Sequence, residues 1–599
     1  MTGIWGAPNR LRAAPDDRVL RVVVLAVAAV QSVVLGLLAR RGSWLSDDLD
    51  FLVQGDRGFA PNELLTPLND HIAPGLRFVY AVFAQLAPLS YDFTVGWRVV
   101  MQALAIALMG FLLLRLLGSS WWVVTGTALY ALTPLSMPSF MSLSSAVNNL
   151  PAHVFGLLLL HATLDWYSGH RRRAVAYGPL SVLISLACWE KSGLVLITAL
   201  ALALYLRKLP LRPWLRQSRP FAAALAVPVI AFGVVYLTHG RPTERDFPSF
   251  GQLVELAGHA VAVPVGALVG GPWQWSTVAV PFGLADAPAG AVVLGAGVAV
   301  FLLLVAWRMD RRALWLWGSV IVYVLVTLIL VSYARFEVFG AVFVLHYHYW
   351  SDLSIALTLA VVLSARSARP RVSLARLAPA VAGACLVAWI VGIVVSDVGF
   401  AKLWGKNPAG PYFATVTGEL EAAGPTVNLW DVTMPGQIST TLATDNRLSP
   451  VLRMAGIPFE LQGPGSAPRF VDDSGRLRPA ELVTWSTATP PPNCGLTLRG
   501  VASATLPLKS SLSDEARWFA KIGYVSSTET RLRVELVDAD GRSAPMPEPA
   551  AAWPAAALGT MYYGPSDLIR ATSVRVSTTD PSATVCLGGI DIGLPGVTG

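Results

Sequence analysis

Charge is scarce in this sequence. Asp, Glu, Lys and Arg make up 14% of its 599 residues, against roughly 25% in a soluble globular protein, which excludes a soluble enzyme. Short repeats are also missing, while apolar runs of about 20 residues recur, so the chain is neither disordered nor fibrous. Cysteine is scarce: there are 4, and none forms a Cys-x-x-Cys pair, which leaves a zinc ribbon or thioredoxin-like site without support. What is abundant is apolar surface, with 54% hydrophobic residues, the composition of a polytopic membrane protein. The formal charge of +8 comes from arginines clustered in short loops between apolar runs. That is the signature of membrane orientation, and a nucleic-acid partner is discounted.

The first apolar run, Val19 to Leu38, follows Arg10, Arg12 and Arg18. Ala39-Arg40-Arg41 comes next instead of a small-x-small cleavage site, so it reads as an uncleaved span with a cytoplasmic N-terminus. The acidic segment 41–93 then faces outward. Within it, Ile72 to Leu89 is short and holds Pro74, Arg77 and Pro88, and reads as an amphipathic helix in the outer interface. Further spans are expected at 94–116, 121–138, 149–167, 174–188, 192–206, 221–238, 288–306, 314–331, 349–365 and 378–396, about eleven in all. This register puts Arg115, His170 to Arg173, Arg207 to Arg219, Arg308 to Arg312 and Arg366 to Arg376 inside, as the positive-inside rule requires. Everything after about residue 397 then lies outside.

The expected domains are a transmembrane domain, 1–396, with its first outer loop at 40–93, an extracytoplasmic α/β region, 397–490, and an extracytoplasmic β-sandwich, 491–599. The α/β reading rests on the run Thr426 to Trp430 and a helix expected after Pro435. The sandwich reading rests on period-two alternation in 530–538 and 572–578 between turn-forming clusters. Cys494 and Cys586 lie in this outer domain, where an oxidising exterior allows them to bridge. Cys385 falls in a span and Cys188 at an outer membrane edge.

Candidate chemistry collects on the outer face. Asp47 and Asp48, with Asp50, follow the first span directly; repulsion between paired carboxylates raises a pKa toward the range of a general base. The plainer alternative is helix capping by Ser46 and Asp47. Arg335 is placed to clamp a phosphate or to snorkel in an aromatic belt. Glu190-Lys191 forms an outer turn, as a salt bridge or as part of a site. His346 and His348 alternate with aromatics, as metal or phosphate ligands or as an interfacial belt. Asn148-Asn149 and Arg241 to Asp246 are polar groups on the same side. Trp273 and Trp275 are candidates for stacking on a sugar ring or for interfacial anchoring.

An acidic pair after span one, a His71-Ile-Ala-Pro74 element opening an interfacial helix and Arg98 at the next helix start together resemble the GT-C superfamily of membrane glycosyltransferases. The family often carries His-Pro-Pro where this chain has His71-Ile-Ala-Pro74. The resemblance implies a polyprenyl-phosphate sugar donor and a cell-envelope glycan or glycolipid acceptor, met at the outer face of the plasma membrane. It implies Asp47 as the base, and Asp48 as a group that orients the acceptor or, with His348, holds a divalent cation such as Mg²⁺, Mn²⁺ or Ca²⁺. Arg335, Lys191, His71 and His346 are then expected at the donor phosphate, and Glu190, Trp273 and Trp275 at the substrate. The outer sandwich resembles carbohydrate-binding modules of bacterial cell-wall arabinofuranosyltransferases, with Trp485, Trp518, Trp553, Tyr562 and Tyr563 as stacking or core residues. Arabinofuranose and mannose are the sugars this resemblance favours. The competing readings are a transporter or flippase of lipid-linked glycans with an outer sensing domain, and a ligase using a diphosphate-linked donor.

Overall fold

The structure, a computed structural model, describes residues 15–67, 71–240, 247–277, 280–367, 378–439, 445–461, 468–548, 552–578 and 580–596. Arg10, Arg12, Asp70, the segment Arg241 to Asp246 and the arginines at 369, 371 and 376 lie outside the described residues. The chain forms two compact units, Met1–Asn407 and Pro408–Gly599. The boundary falls after the expected 396 because the last helix of the first unit, Ala378–Trp404, runs on. Its end is held when Trp404 Nε1 donates to the Ala39 carbonyl at 2.9 Å.

The first unit is helical. Among the described residues, eight helices are long and apolar enough to cross a membrane. Four of the expected spans are built otherwise. Segment 121–138 is broken into Trp122–Ala131 and Ser136–Met141, with Pro134 unable to continue the first helix. Segments 192–206 and 349–365 each open with a 3₁₀ stretch, Glu190–Leu194 and Tyr347–Trp350, before the helices Val195–Tyr205 and Leu353–Ser367. Segment 174–188 is the helix Arg171–Cys188, with three arginines in its first turn and Pro179 inside. The helix expected from 149 begins at Leu143, so Asn149 is buried in it and bonds the Ser145 carbonyl at 2.9 Å instead of sitting in a loop.

Phe250–Leu268, read from sequence as part of an outer loop, is one of the eight apolar helices. It starts with a capping box between Ser249 and Gln252. Both of its flanks touch one end of the bundle: Phe247 meets Tyr333, two residues before Arg335, and the Trp273 amide donates to Ser396 near the end of Ala378–Trp404. Both flanks of this helix thus lie toward the same end of the bundle. At the opposite end, Asp17 meets Ser119, Arg115 pairs with Asp165, and Tyr167 bonds Ser218 at 2.7 Å. The basic connections gather there.

Two close approaches position the acidic loop. The helix Asp47–Gly55 packs on the helix Pro74–Leu86 at Gly55, where a Cβ would lie 2.7 Å from the Tyr80 backbone. Pro74–Leu86 packs in turn on the end of Arg171–Cys188 at Gly75, where a Cβ would lie 2.7 Å from Cys188 Sγ. Glycine at both sites lets the helix that follows His71 sit directly against the turn that carries Glu190.

The second unit opens with the helix Ala409–Ala423 and a four-stranded sheet in the order 460–461, 428–429, 469–471, 477–479. The helix expected after Pro435 is Leu448–Met454. A two-sheet sandwich follows, and it starts at Glu481, earlier than expected, because 481–488 pairs with 590–596. One sheet holds 481–488, 497–499, 519–526, 556–563 and 584–596, the other 502–507, 532–537, 543–545 and 573–578. Alternate residues of these strands, such as Val534, Leu536, Val574 and Val576, point into a shared core with Trp518, Trp553 and Tyr563. Trp485 remains half-exposed at 51%. Trp430 of the small sheet stacks on Phe519 of the sandwich at 5.3 Å, joining the two parts of this unit. Cys494 and Cys586 form a disulfide with Cα atoms 5.3 Å apart.

Candidate active site

The acidic helix opens at Ser46, a non-glycine residue at φ 48°. This sparsely populated conformation turns the next two carboxylates in different directions. Asp48 turns inward and is fully buried. Its Oδ2 accepts from the Leu45 amide at 2.9 Å, and its Oδ1 accepts from the Ser144 amide at 2.8 Å and from the Tyr80 hydroxyl at 3.5 Å. Burial nevertheless outweighs these bonds and pushes its carboxyl up to about 6. Asp47 is held by the Ser46 hydroxyl at 3.1 Å. Burial raises its pKa too, helped by the neighbouring Asp50, while Ser46 and Arg335 act in the opposite sense.

Arg98 explains how Ser144 is presented. Its guanidinium is fully buried, and Nη1 donates to the carbonyls of Phe140 and Met141 at 3.1 and 2.5 Å. These carbonyls end the helix Ser136–Met141 and have no helical acceptor role left. Arg98 is thus a bracket for the 136–144 segment, and Asp48 grips the same segment from its other side.

Facing Asp47 is a relay of three side chains. Glu190 Oε1 is hydrogen-bonded to His71 Nδ1, and His71 Nε2 lies 3.3 Å from Arg335 Nη2. Arginine only donates, so Nε2 is the accepting nitrogen and Nδ1 carries the proton given to Glu190. The Arg335 guanidinium also lies close to the Tyr349 phenol and lowers its pKa against the effect of burial. It sits in the last turns of the helix Leu314–Phe339, which continues beyond the expected end at 331.

His346 and His348 complete this wall. Their Nδ1 atoms are 2.6 Å apart, and the His348 and Tyr349 ring centroids are 3.7 Å apart. Burial pushes His346 down to about 4. His348 is lowered by burial first, then by His346, Arg335 and Lys191. His346, expected as a metal or phosphate ligand, is thereby disfavoured as an imidazolium. Burial of the ring without an acidic partner disfavours the imidazolium.

One expectation needs correction. Lys191 does not face this wall: its ammonium pairs with Asp352 inside the bundle. Asp48, expected with His348 as a cation ligand, has both oxygens accepting from amide and phenol donors. Among the described residues no group of three or more His, Cys, Asp or Glu side chains is disposed to hold a metal. Trp273 and Trp275 are tied down by their indole nitrogens: Trp273 Nε1 donates to Val269 and Trp275 Nε1 to Ser396 at 2.8 Å, with Trp275 edge-on to Tyr347 and Phe400.

Asp47, Asp48, His71, Glu190, Arg335, His346 and His348 were all readable as candidates. Tyr349 is one of the aromatics that alternate with His346 and His348, and nothing in the sequence sets it apart from its neighbours. Asp352 carried a signal, a lone acid at the head of an apolar segment. Nothing in the sequence marks Ser144, which acts through its backbone.

No protein-family model matches the chain, and no curated protein matches it. Among solved structures, the chain is similar to arabinosyltransferase EmbB from Mycobacterium smegmatis at 12% identity and a TM-score of 0.37, covering 99% of this chain and 66% of that one. It is also similar to ArnT from Cupriavidus metallidurans bound to undecaprenyl phosphate, at 14% identity and a TM-score of 0.41, covering 75% of this chain and 87% of that one. The chain therefore spans slightly under two-thirds of the EmbB chain's length, and both similarities are ones of fold.

Proposed function

We propose that this chain is a membrane glycosyltransferase of the GT-C type. It moves a sugar from a polyprenyl-phosphate donor to a cell-envelope glycan or glycolipid, at the extracytoplasmic face of the plasma membrane. Arabinofuranose and mannose are the sugars proposed. The observation that carries the reading is the convergence of Asp47 with the Arg335–His71–Glu190 relay at one end of an apolar bundle. A proton acceptor and a guanidinium fork facing each other at a membrane surface are what transfer from a lipid phosphate needs.

In this mechanism Asp47 accepts the proton of the acceptor hydroxyl while that oxygen bonds the anomeric carbon. The bond from this carbon to the donor phosphate oxygen breaks, and its electron pair leaves on the phosphate. Arg335 offers N–H donors to the departing charge. Glu190 fixes the His71 ring, and the ring and the Tyr349 phenol fix the plane of the guanidinium. Burial makes Asp47 a stronger base than a solvated carboxylate.

The transporter reading has one observation in its favour, a buried ion pair in the bundle, Lys191 with Asp352. The free volume beside it is about 10 Å³, lined by Ser192, Thr198, Tyr323 and Asp352. That holds one water and no solute, so surface chemistry is the better account. Sugar transfer by the purified protein from a defined polyprenyl-phosphate donor is the test.

A further inference from the structure

Two neighbouring charged residues in the turn Glu190–Leu194 point opposite ways. Glu190 reaches the site and holds His71. Lys191 turns into the helical core, where its side chain is 6% exposed. Its Nζ donates to Asp352 Oδ1 at 2.7 Å, to the Tyr323 hydroxyl at 2.9 Å and to the Tyr349 carbonyl at 2.6 Å. An ammonium has three N–H donors, and all three are used. The Trp189 and Tyr323 rings cover the cation at 4.7 and 4.9 Å.

What this pair holds is more informative than the pair itself. The carbonyl it captures belongs to Tyr349, whose phenol lies close to Arg335 and whose ring packs on His348. The residue before Lys191 is Glu190, whose carboxylate fixes the other side of the same arginine through His71. Lys191 and Asp352 therefore join the turn that presents one wall of the site to the 3₁₀ segment that presents the other. Two charges buried at this depth are costly to desolvate, and an apolar pair of similar volume would fill the space as well. Packing alone does not account for them.

We propose that Lys191 and Asp352 are positioning residues that set the separation between the Glu190–His71 wall and the Tyr349–Arg335 wall, without touching substrate. The proposal rests on the transferase reading of that site. It also reverses the sequence expectation for Lys191, which has no donor left for a phosphate.

The test compares the full-length protein in detergent with Lys191→Met, Asp352→Leu and the double variant. Three quantities are read: affinity for a polyprenyl phosphate without sugar, turnover with the sugar-loaded donor, and carbethoxylation of His71 by diethyl pyrocarbonate. His71 is accessible to that reagent, with its side chain 35% exposed. Each single variant leaves an unpaired partner and may not be assumed to fold, so the double variant decides. It is expected to keep wild-type affinity for the lipid phosphate, to lose about 10²-fold in turnover, the effect of a displacement near 1 Å, and to carbethoxylate faster at His71 as the Glu190 contact loosens. Lost lipid-phosphate affinity with unchanged turnover of bound donor would make Lys191 a phosphate ligand and overturn the proposal. Wild-type behaviour in all three readings would overturn it as well. If the wild type itself neither binds nor transfers, the transferase reading fails separately. Unchanged His71 reactivity in the double variant would then still count against the coupling.

Discussion

Arg335 Nη2 lies 3.3 Å from His71 Nε2, although 264 residues separate them in the chain. Glu190, at the far side of the imidazole, comes from a third region, and Asp47 faces the arginine from a fourth. Four segments distant in sequence are thus brought together at one end of the bundle.

Asp47 is the proposed base. Asp47→Asn keeps the shape and removes proton acceptance, so turnover should fall by about 10²- to 10⁴-fold with donor affinity little changed. Because burial raises this carboxyl from the ordinary value of 3.8, the acid limb of the wild-type rate profile should lie above that value. A pH series of kcat/KM measures it.

Arg335 is argued to meet the leaving phosphate with a planar fork. Removing it as Arg335→Ala should cost about 10²- to 10³-fold in turnover, as for other groups aimed at developing charge. Arg335→Lys keeps the charge but loses the planar fork that meets a phosphate bidentately, and should recover only part of the loss. Steady-state kinetics on both variants, with the donor varied, distinguishes the two effects.

Asp48 predicts a pH dependence of stability. Its carboxyl is raised from 3.8 to about 6 in the folded chain, so the folded state binds this proton more tightly. The resulting stabilisation is full below about 3.8 and is lost as pH rises through about 6. Melting temperature in detergent should therefore carry a component that falls across this window. Asp48→Asn should lose that component, at a lower overall stability, because its amide nitrogen would face an N–H donor.

The disulfide closes a separation of 92 residues in the second unit. Cys494→Ser with Cys586→Ser should destabilise that unit by about 2–5 kcal/mol. Limited proteolysis of the full chain should then cut within 481–596 at lower temperature, leaving the helical unit unaffected.

Much of this architecture is legible in one sequence because its signals are local. Apolar length gives the spans, period-two alternation gives the sandwich strands, and Asp47-Asp48, His71, Glu190 and Arg335 stand out as charges beside apolar runs. What was not legible depends on long-range contact. Lys191 and Glu190 are adjacent and equally polar, and only the packing of Asp352 and Tyr323 decides that one faces the core. Asp48 and Asp47 are likewise adjacent, and the Ser144 amide decides which of them is spent on structure. The helix Phe250–Leu268 was missed because Pro264 and the polar residues before it interrupt the pattern of a span.

The central claim is sugar transfer, and the most direct measurement is radiolabel movement from a small panel of polyprenyl-phosphate sugars to an envelope acceptor extract. It uses the purified wild type beside folded Asp47→Asn and Asp48→Asn. The account predicts transfer from at least one donor by the wild type, and its loss in Asp47→Asn. Equal transfer by Asp47→Asn, or none from any donor by folded wild type supplied with acceptor, would contradict it.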